Sequence, residues 1–207
     1  MSVACLILGL LFWQAPPVLS GIRHSDAAPA DLAPAVAALL APGGVTASVG
    51  ANTLTFWWVK VLPVTSAPPG WTALPEGTLT GAVRIEKAFR DVRGRVIKAG
   101  TYTLRYGIQP ANGDHLGVSP YREFLLLSPG PQDRDAAPRG HDETVDLSKL
   151  TIGGSHPAVW SLDPPVATDA PLTVHTTELG HQAIVMEVPI ASGALRFGLV
   201  LVGKIEA

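Results

Sequence analysis

The sequence predicts an all-β fold: an antiparallel β-sandwich, Ig-like or jelly-roll-like, of about eight strands with a short N-terminal helix. Three observations carry this. The 207 residues include 21 Gly and 19 Pro, set as punctuation between runs rich in Val, Thr and Leu, the pattern of short strands joined by turns. Gly94 to Pro110, GRVIKAGTYTLRYGIQP, opens on a turn and then alternates strictly. Tyr102, Leu104, Tyr106 and Ile108 fall on one face and Thr101, Thr103, Arg105 and Gln109 on the other, so one well-packed face is expected through the first four. Thirdly, about eight strands can be counted with turn signals between them, which suits a sandwich or an open barrel.

The elements follow in chain order. Residues 1–20 carry no charge, and Val3–Phe12 is an apolar run shorter than the roughly 20 residues a bilayer span needs. It matches the core of a secretory signal, with Pro16, Pro17 and the small residue Ser20 behind it, although no Lys or Arg precedes it. A retained anchor is the alternative. The expected compartment is therefore secreted or periplasmic, with no stable membrane span after cleavage. The only cysteine, Cys5, lies inside this segment. A mature chain without it has no thiol nucleophile, disulfide or zinc–thiolate site.

Residues 21–42 read as a linker in which Asp31 caps a short helix over Leu32–Leu40, ended by Pro42, Gly43 and Gly44. The β domain is expected over 43–207. Val45–Val49 alternates weakly. Asn52–Leu62 is a strong strand with Leu54, Phe56 and Trp58 on one side and Thr53, Thr55 and Trp57 on the other. Leu79, Val83 and Ile85 alternate with Thr80, Arg84 and Glu86. Asp91-Val92-Arg93-Gly94 has the Asp and Gly placement of a type I turn with a glycine bulge. Tyr121–Ser128 reads as a central strand. Residues 129–155 form a long loop with room for a short helix near Asp146–Leu150. Ala158–Leu162, Leu172–Val188 (broken near Gly180) and Leu195–Ile205 complete the strands.

At Ile97-Lys98-Ala99-Gly100-Thr101-Tyr102-Thr103-Leu104 the chain resembles a loose group of uncharacterised secreted bacterial β-sandwich proteins, which begin a strand with an apolar-x-Ala-Gly-Thr-Tyr-Thr-Leu turn. Residues 113–129 and 155–165 extend the resemblance. It implies a fold and a compartment and carries no activity.

A formal charge of −2 gives no global attraction to nucleic acid or to an anionic membrane. Four local features are candidates for chemistry. Asp114 and His115 sit in the glycine-bounded loop Gly113–Gly117 with Ser119 beyond it, which suits a ligand or metal site. An Asx turn beside a solvated imidazole explains the same residues. His156, His175 and His181, with Glu178 between the last two, are nitrogen and oxygen donors suitable for zinc or copper if His115 or the strands bring them together. Scattered surface histidines are the structural alternative. Arg84, Lys87, Arg90, Arg93, Arg95 and Lys98 concentrate positive charge around the turn, opposed only by Glu86 and Asp91. Arg93 and Arg95 at its tip suit an anionic partner, and charges on the solvent face of a hairpin explain the run equally. Trp71, behind Pro-Pro-Gly, is the best candidate for an exposed aromatic that stacks on a sugar.

With no coherent catalytic set, the expectation is a non-catalytic binding or structural module of the cell envelope without a cofactor. Its partners would be an envelope polymer, a carbohydrate or another envelope protein, with no nucleic acid. The alternative is a metal-binding protein or metal-dependent enzyme with a divalent ion such as zinc or copper.

Overall fold

The structure is a computed structural model that describes residues 18–64, 66, 70–110, 119–164 and 170–203. It is antiparallel β, as expected, but the strands form one sheet and not two. In chain order the strands are β1 (Leu19–His24), β2 (Gly44–Val49), β3 (Asn52–Trp58), β4 (Leu79–Ile85), β5 (Phe89–Arg90), β6 (Val96–Ile97), β7 (Gly100–Ile108), β8 (Glu123–Pro129), β9 (Ala158–Asp163), β10 (Val174–Thr176), β11 (Gln182–Ile190) and β12 (Gly193–Val202). Ten of them follow the order β1-β2-β3-β4-β7-β8-β9-β12-β11-β10, while β5 and β6 pair as a separate hairpin.

This sheet coils until its ends nearly meet, so the eight-strand sandwich is corrected to an almost closed barrel. Alternation in a sequence tells which face of a strand is buried. It does not tell whether the buried faces belong to two sheets or to one that curls. Two register shifts assist the curl, at Leu79/Gly81 between β4 and β7 and at Gln182/Ala183 between β11 and β12, because a bulge bends and twists the strand that carries it. At the seam a Cβ on Gly21 would lie 2.5 Å from Ile184 Cδ1. Arg23 Nη2 reaches Glu187 Oε1 at 3.7 Å, and Leu62 bridges Ile190 in parallel.

The barrel interior holds the predicted apolar faces. Leu54, Phe56 and Trp58 of β3 and Tyr102, Leu104 and Tyr106 of β7 are buried in one core with Leu125, Leu127, Trp160, Met186, Phe197 and Leu199. Trp57 points the other way, where its indole N–H donates to the Asp26 carbonyl at 2.9 Å and His24 meets it edge-on. The N-terminal helix, α1 (Pro34–Ala37), is a single turn that starts after Ala33 without a side-chain cap. Asp31 is therefore not its cap. The 21–42 segment is not merely a linker, since it carries most of β1, which pairs with β2 from Leu19↔Val49 to His24↔Gly44. Val36 and Leu40 are buried.

The polar face of β7 is also buried, at Thr101, Thr103 and Arg105. Residues 130–140 fold across it, and α2 (His141–Ile152) continues along β8 and β9. The clasp is Arg105. All five of its guanidinium N–H donors are used: Nε and Nη2 on Asp133 at 2.7 and 2.9 Å, Nη1 on the Gly77 and Ala137 carbonyls, and Nη2 also on the Asp135 carbonyl. Asp133 is filled in turn by Thr103 Oγ1 and Arg139 Nε. Gly77, at φ 77°, packs so closely here that a Cβ would stand 2.0 Å from the Arg139 carbonyl oxygen.

Helix α2 spans more than the expected short helix and ends on Gly153 in the left-handed region, at φ 67°. Its buried stripe is Thr144, Ser148 and Thr151. Ser148 Oγ bonds both the N–H and the C=O of Ala158 at 3.0 Å, and Thr151 donates to the Leu127 carbonyl. No helix among the described residues is long and apolar enough to cross a membrane.

Candidate functional site

The β5–β6 hairpin hangs from the end of β4 and crosses the place where the barrel wall is thinnest. β9 and β12 pair only at Asp163↔Gly198 and Leu162↔Leu199, and the hairpin covers the end where they part. Phe89 meets Trp160 edge-on at 5.9 Å, and Val92 clusters with Ala183 and Val200. The tip is the predicted turn. The Gly94 N–H bonds the Asp91 carbonyl at 2.8 Å with Gly94 at φ 75°. Asp91 Oδ1 accepts the backbone N–H groups of Arg93 and Arg95 at 3.0 and 2.8 Å. The carboxylate thus fixes the direction in which both arginines leave the turn.

They point into a cleft of about 210 Å³ between the hairpin and α2. Phe124, Val159 and Ser161 form its floor along the β8–β9 ladder, where Phe124 pairs with Ser161 and Leu126 with Val159. Val145 and His141 of α2 face the hairpin, and His156 and Pro157 lie at the β9 start. Tyr121 and Glu123 stand at the other end of the ladder. Most of the surface is apolar and the charge is cationic, with Glu123 as the opposing carboxylate.

The two arginines differ. Arg95 Nε, although it too lacks a hydrogen-bond partner among the described residues, lies 3.2 Å from Asp91 Oδ2 in an ion pair, so part of its charge is answered. Arg93 Nε is buried and has no hydrogen-bond partner among the described residues. Burial, and then the neighbouring Arg95, push the Arg93 pKa down, with Asp91 offsetting only part. A guanidinium keeps its proton in a protein, so the shift measures a cation short of compensation. His141 Nδ1 lies 2.7 Å from Glu76 Oε1, which also accepts the Ile108 N–H. That ties the start of α2 to the end of β7.

The predicted site residues are distributed as follows. Arg93, Arg95 and His156 share this cleft. Asp114 and His115 lie outside the described residues. Trp71 lines a neighbouring cleft. His175 is elsewhere, with Nε2 2.9 Å from Asp163 Oδ2 and its ring over Gly198. His181 and Glu178 belong to the turn closed by the Thr177 N–H on the His181 carbonyl, and Glu178 is exposed. The four metal candidates among the described residues are thus divided among the cleft (His156), strand β10 (His175) and the β10–β11 turn (Glu178 and His181). No group of three or more His, Cys, Asp or Glu side chains among the described residues is arranged to hold a metal ion.

Sequence reasoning missed His141, Glu123 and Tyr121 as partners of Arg93 and Arg95. Their only signal is position, since His141 and Glu123 begin α2 and β8 and Tyr121 lies just before β8. It also missed Arg105, whose signal was a lone cation in mid-strand on the same face as Thr101 and Thr103. No family model matches the chain, and no curated protein or solved structure is similar to it.

Proposed function

We propose that this chain is an extracytoplasmic, non-catalytic binding module that holds an anionic group in the cleft between the β5–β6 hairpin and α2. The observation that carries the reading is Arg93, a partly buried cation whose Nε has no partner among the described residues and which lines an apolar cleft beside Arg95. A carboxylate, sulfate or phosphate entering there gains a charge-assisted hydrogen bond in a partly desolvated place, where such bonds are strongest. The apolar run Val3–Phe12, read as a secretory signal, supports the compartment. Asp91 acts as the positioning residue. Arg105 takes no part, because its donors are all used within the fold.

Calorimetric titration with citrate, polyphosphate and a hyaluronan tetrasaccharide tests this. At least one of the three is expected to bind, with affinity falling about tenfold or more in Arg93→Gln, the loss of one charge-assisted contact. Equal binding by wild type and Arg93→Gln, or no binding of any of the three, overturns the reading.

A further inference from the structure

A second cleft, of about 340 Å³, adjoins the first, and the two share Tyr121 and Glu123. They therefore form one groove that turns around the start of β8, and its two halves differ in chemistry. The first half presents Arg93 and Arg95. The second presents Trp71 on the single 3-10 turn Trp71–Ala73, with Phe197, Glu123, Asp163 and Arg196 around it.

Trp71 is half-buried. Its ring is held edge-on to Phe197 at 4.7 Å and tilted against Tyr106 at 5.8 Å, so the core fixes its orientation while part of it borders the cleft. Its indole N–H is buried without a partner among the described residues. The same holds for the hydroxyl of Tyr106 beneath it. Asp163 is kept in place by His175.

An immobile aromatic ring beside two carboxylates matches the two surfaces of a sugar. The C–H face of a pyranose packs on an aromatic plane, and its hydroxyls donate to carboxylate oxygens. Arg196, the cation of this half, is answered by Glu187 at 3.0 Å, which leaves Glu123 and Asp163 to disfavour an anion here, so the ring lying here is uncharged. The negative group belongs at Arg93 and Arg95, at the other end of the groove. We infer that the groove binds an acidic oligosaccharide, with a neutral sugar ring against Trp71 and a neighbouring acidic sugar reaching Arg93. This rests on the anion-binding reading above and assigns its ligand class.

The probes are a hyaluronan tetrasaccharide (alternating neutral and acidic sugars), chitotetraose as a neutral sugar chain, and citrate and polyphosphate as anions without sugar. The hyaluronan tetrasaccharide is expected to bind about tenfold or more tighter than chitotetraose or citrate and to change tryptophan fluorescence. Thr72→Trp, at an exposed position that lines the second cleft without joining the core, is expected to weaken the tetrasaccharide about tenfold and leave citrate within about twofold. Trp71→Phe, which keeps an aromatic against Phe197, is expected to act in the same direction, with near-ultraviolet circular dichroism confirming the fold. If Thr72→Trp leaves tetrasaccharide affinity unchanged, or polyphosphate binds as tightly as the tetrasaccharide, the oligosaccharide inference falls. Loss of citrate binding in Arg93→Gln then still upholds the anion-binding reading. If no anion binds at all, both fall together.

Discussion

Arg105 is buried, central in its strand and fully bonded. Removing one member of such a pair leaves the other charge without compensation, which costs about 3–5 kcal/mol. Arg105→Met is expected to cost that much in a urea titration, because Asp133 keeps only Thr103 and Arg139 and the Gly77, Asp135 and Ala137 carbonyls each lose the Arg105 bond, with Gly77 keeping the Arg139 N–H. The double change Arg105→Met with Asp133→Leu is expected to cost less than the sum of the single changes, since no charge is then stranded. A second prediction concerns Tyr106. Burial first, then Glu123 and Glu76, push its phenol well above the ordinary value of 10, with Arg122 opposing. The neutral form is therefore favoured in the fold. The stabilisation is fully present below pH 10 and is lost as the pH rises through the folded pKa, because the unfolded phenol ionises first. Stability measured at about pH 11 is expected to fall below that at pH 8, and Tyr106→Phe to shrink the difference. An unchanged difference would assign the alkaline loss to other groups.

At the scale of elements, α2 shows why part of the chain was illegible. A surface helix announces itself by apolar residues at the helical period. The buried positions of α2 follow that period, but they are Thr144, Ser148 and Thr151, so a hydrophobicity reading finds only a polar loop. The hydroxyls are needed because the edge they meet is backbone: Ser148 serves both polar groups of Ala158. Ser148→Ala is expected to cost about 1–3 kcal/mol, the penalty for buried polar groups left without a partner. Thermal denaturation checks it, and a loss near zero would mean that Ala158 finds other partners. The hairpin was legible for the opposite reason. Its turn rests on local chemistry, an Asp carboxylate and a glycine at positive φ, which sequence spacing encodes directly. The position of that turn against His141 and Glu123 depends on contacts distant in sequence. The cationic tip was therefore visible and the cleft was not.

For the whole molecule, the alternation of β3 and β7 and the continuous apolar run of β8 predicted much of the core, while the coiling of the strands into a single sheet was hidden. That coiling gives an uneven wall, from which a final prediction follows. β7 is paired along its length to β4 on one side and β8 on the other. The core packs against one of its faces and the Arg105 clasp against the other. β10 has three residues and one neighbouring strand, and of its side chains only His175 is partly buried. Between β9 and β12 the ladder is two pairs long, and the hairpin covers the rest. Amides deep in such a structure exchange with solvent only when the whole domain unfolds, whereas those at short edges escape by local opening. Hydrogen exchange read by mass spectrometry is expected to place Thr103–Tyr106 at the global limit, β10 fastest, and the hairpin with β9 between them. Added denaturant should accelerate Thr103–Tyr106 steeply and β10 little, because opening β10 exposes little surface. If β10 exchanges as slowly as β7, the edge is more firmly held than its three residue pairs and the His175–Asp163 contact provide. The intermediate rate of the hairpin bears on binding. A ligand bridging Arg93 to the α2 side would bind the closed hairpin alone and slow exchange there by mass action.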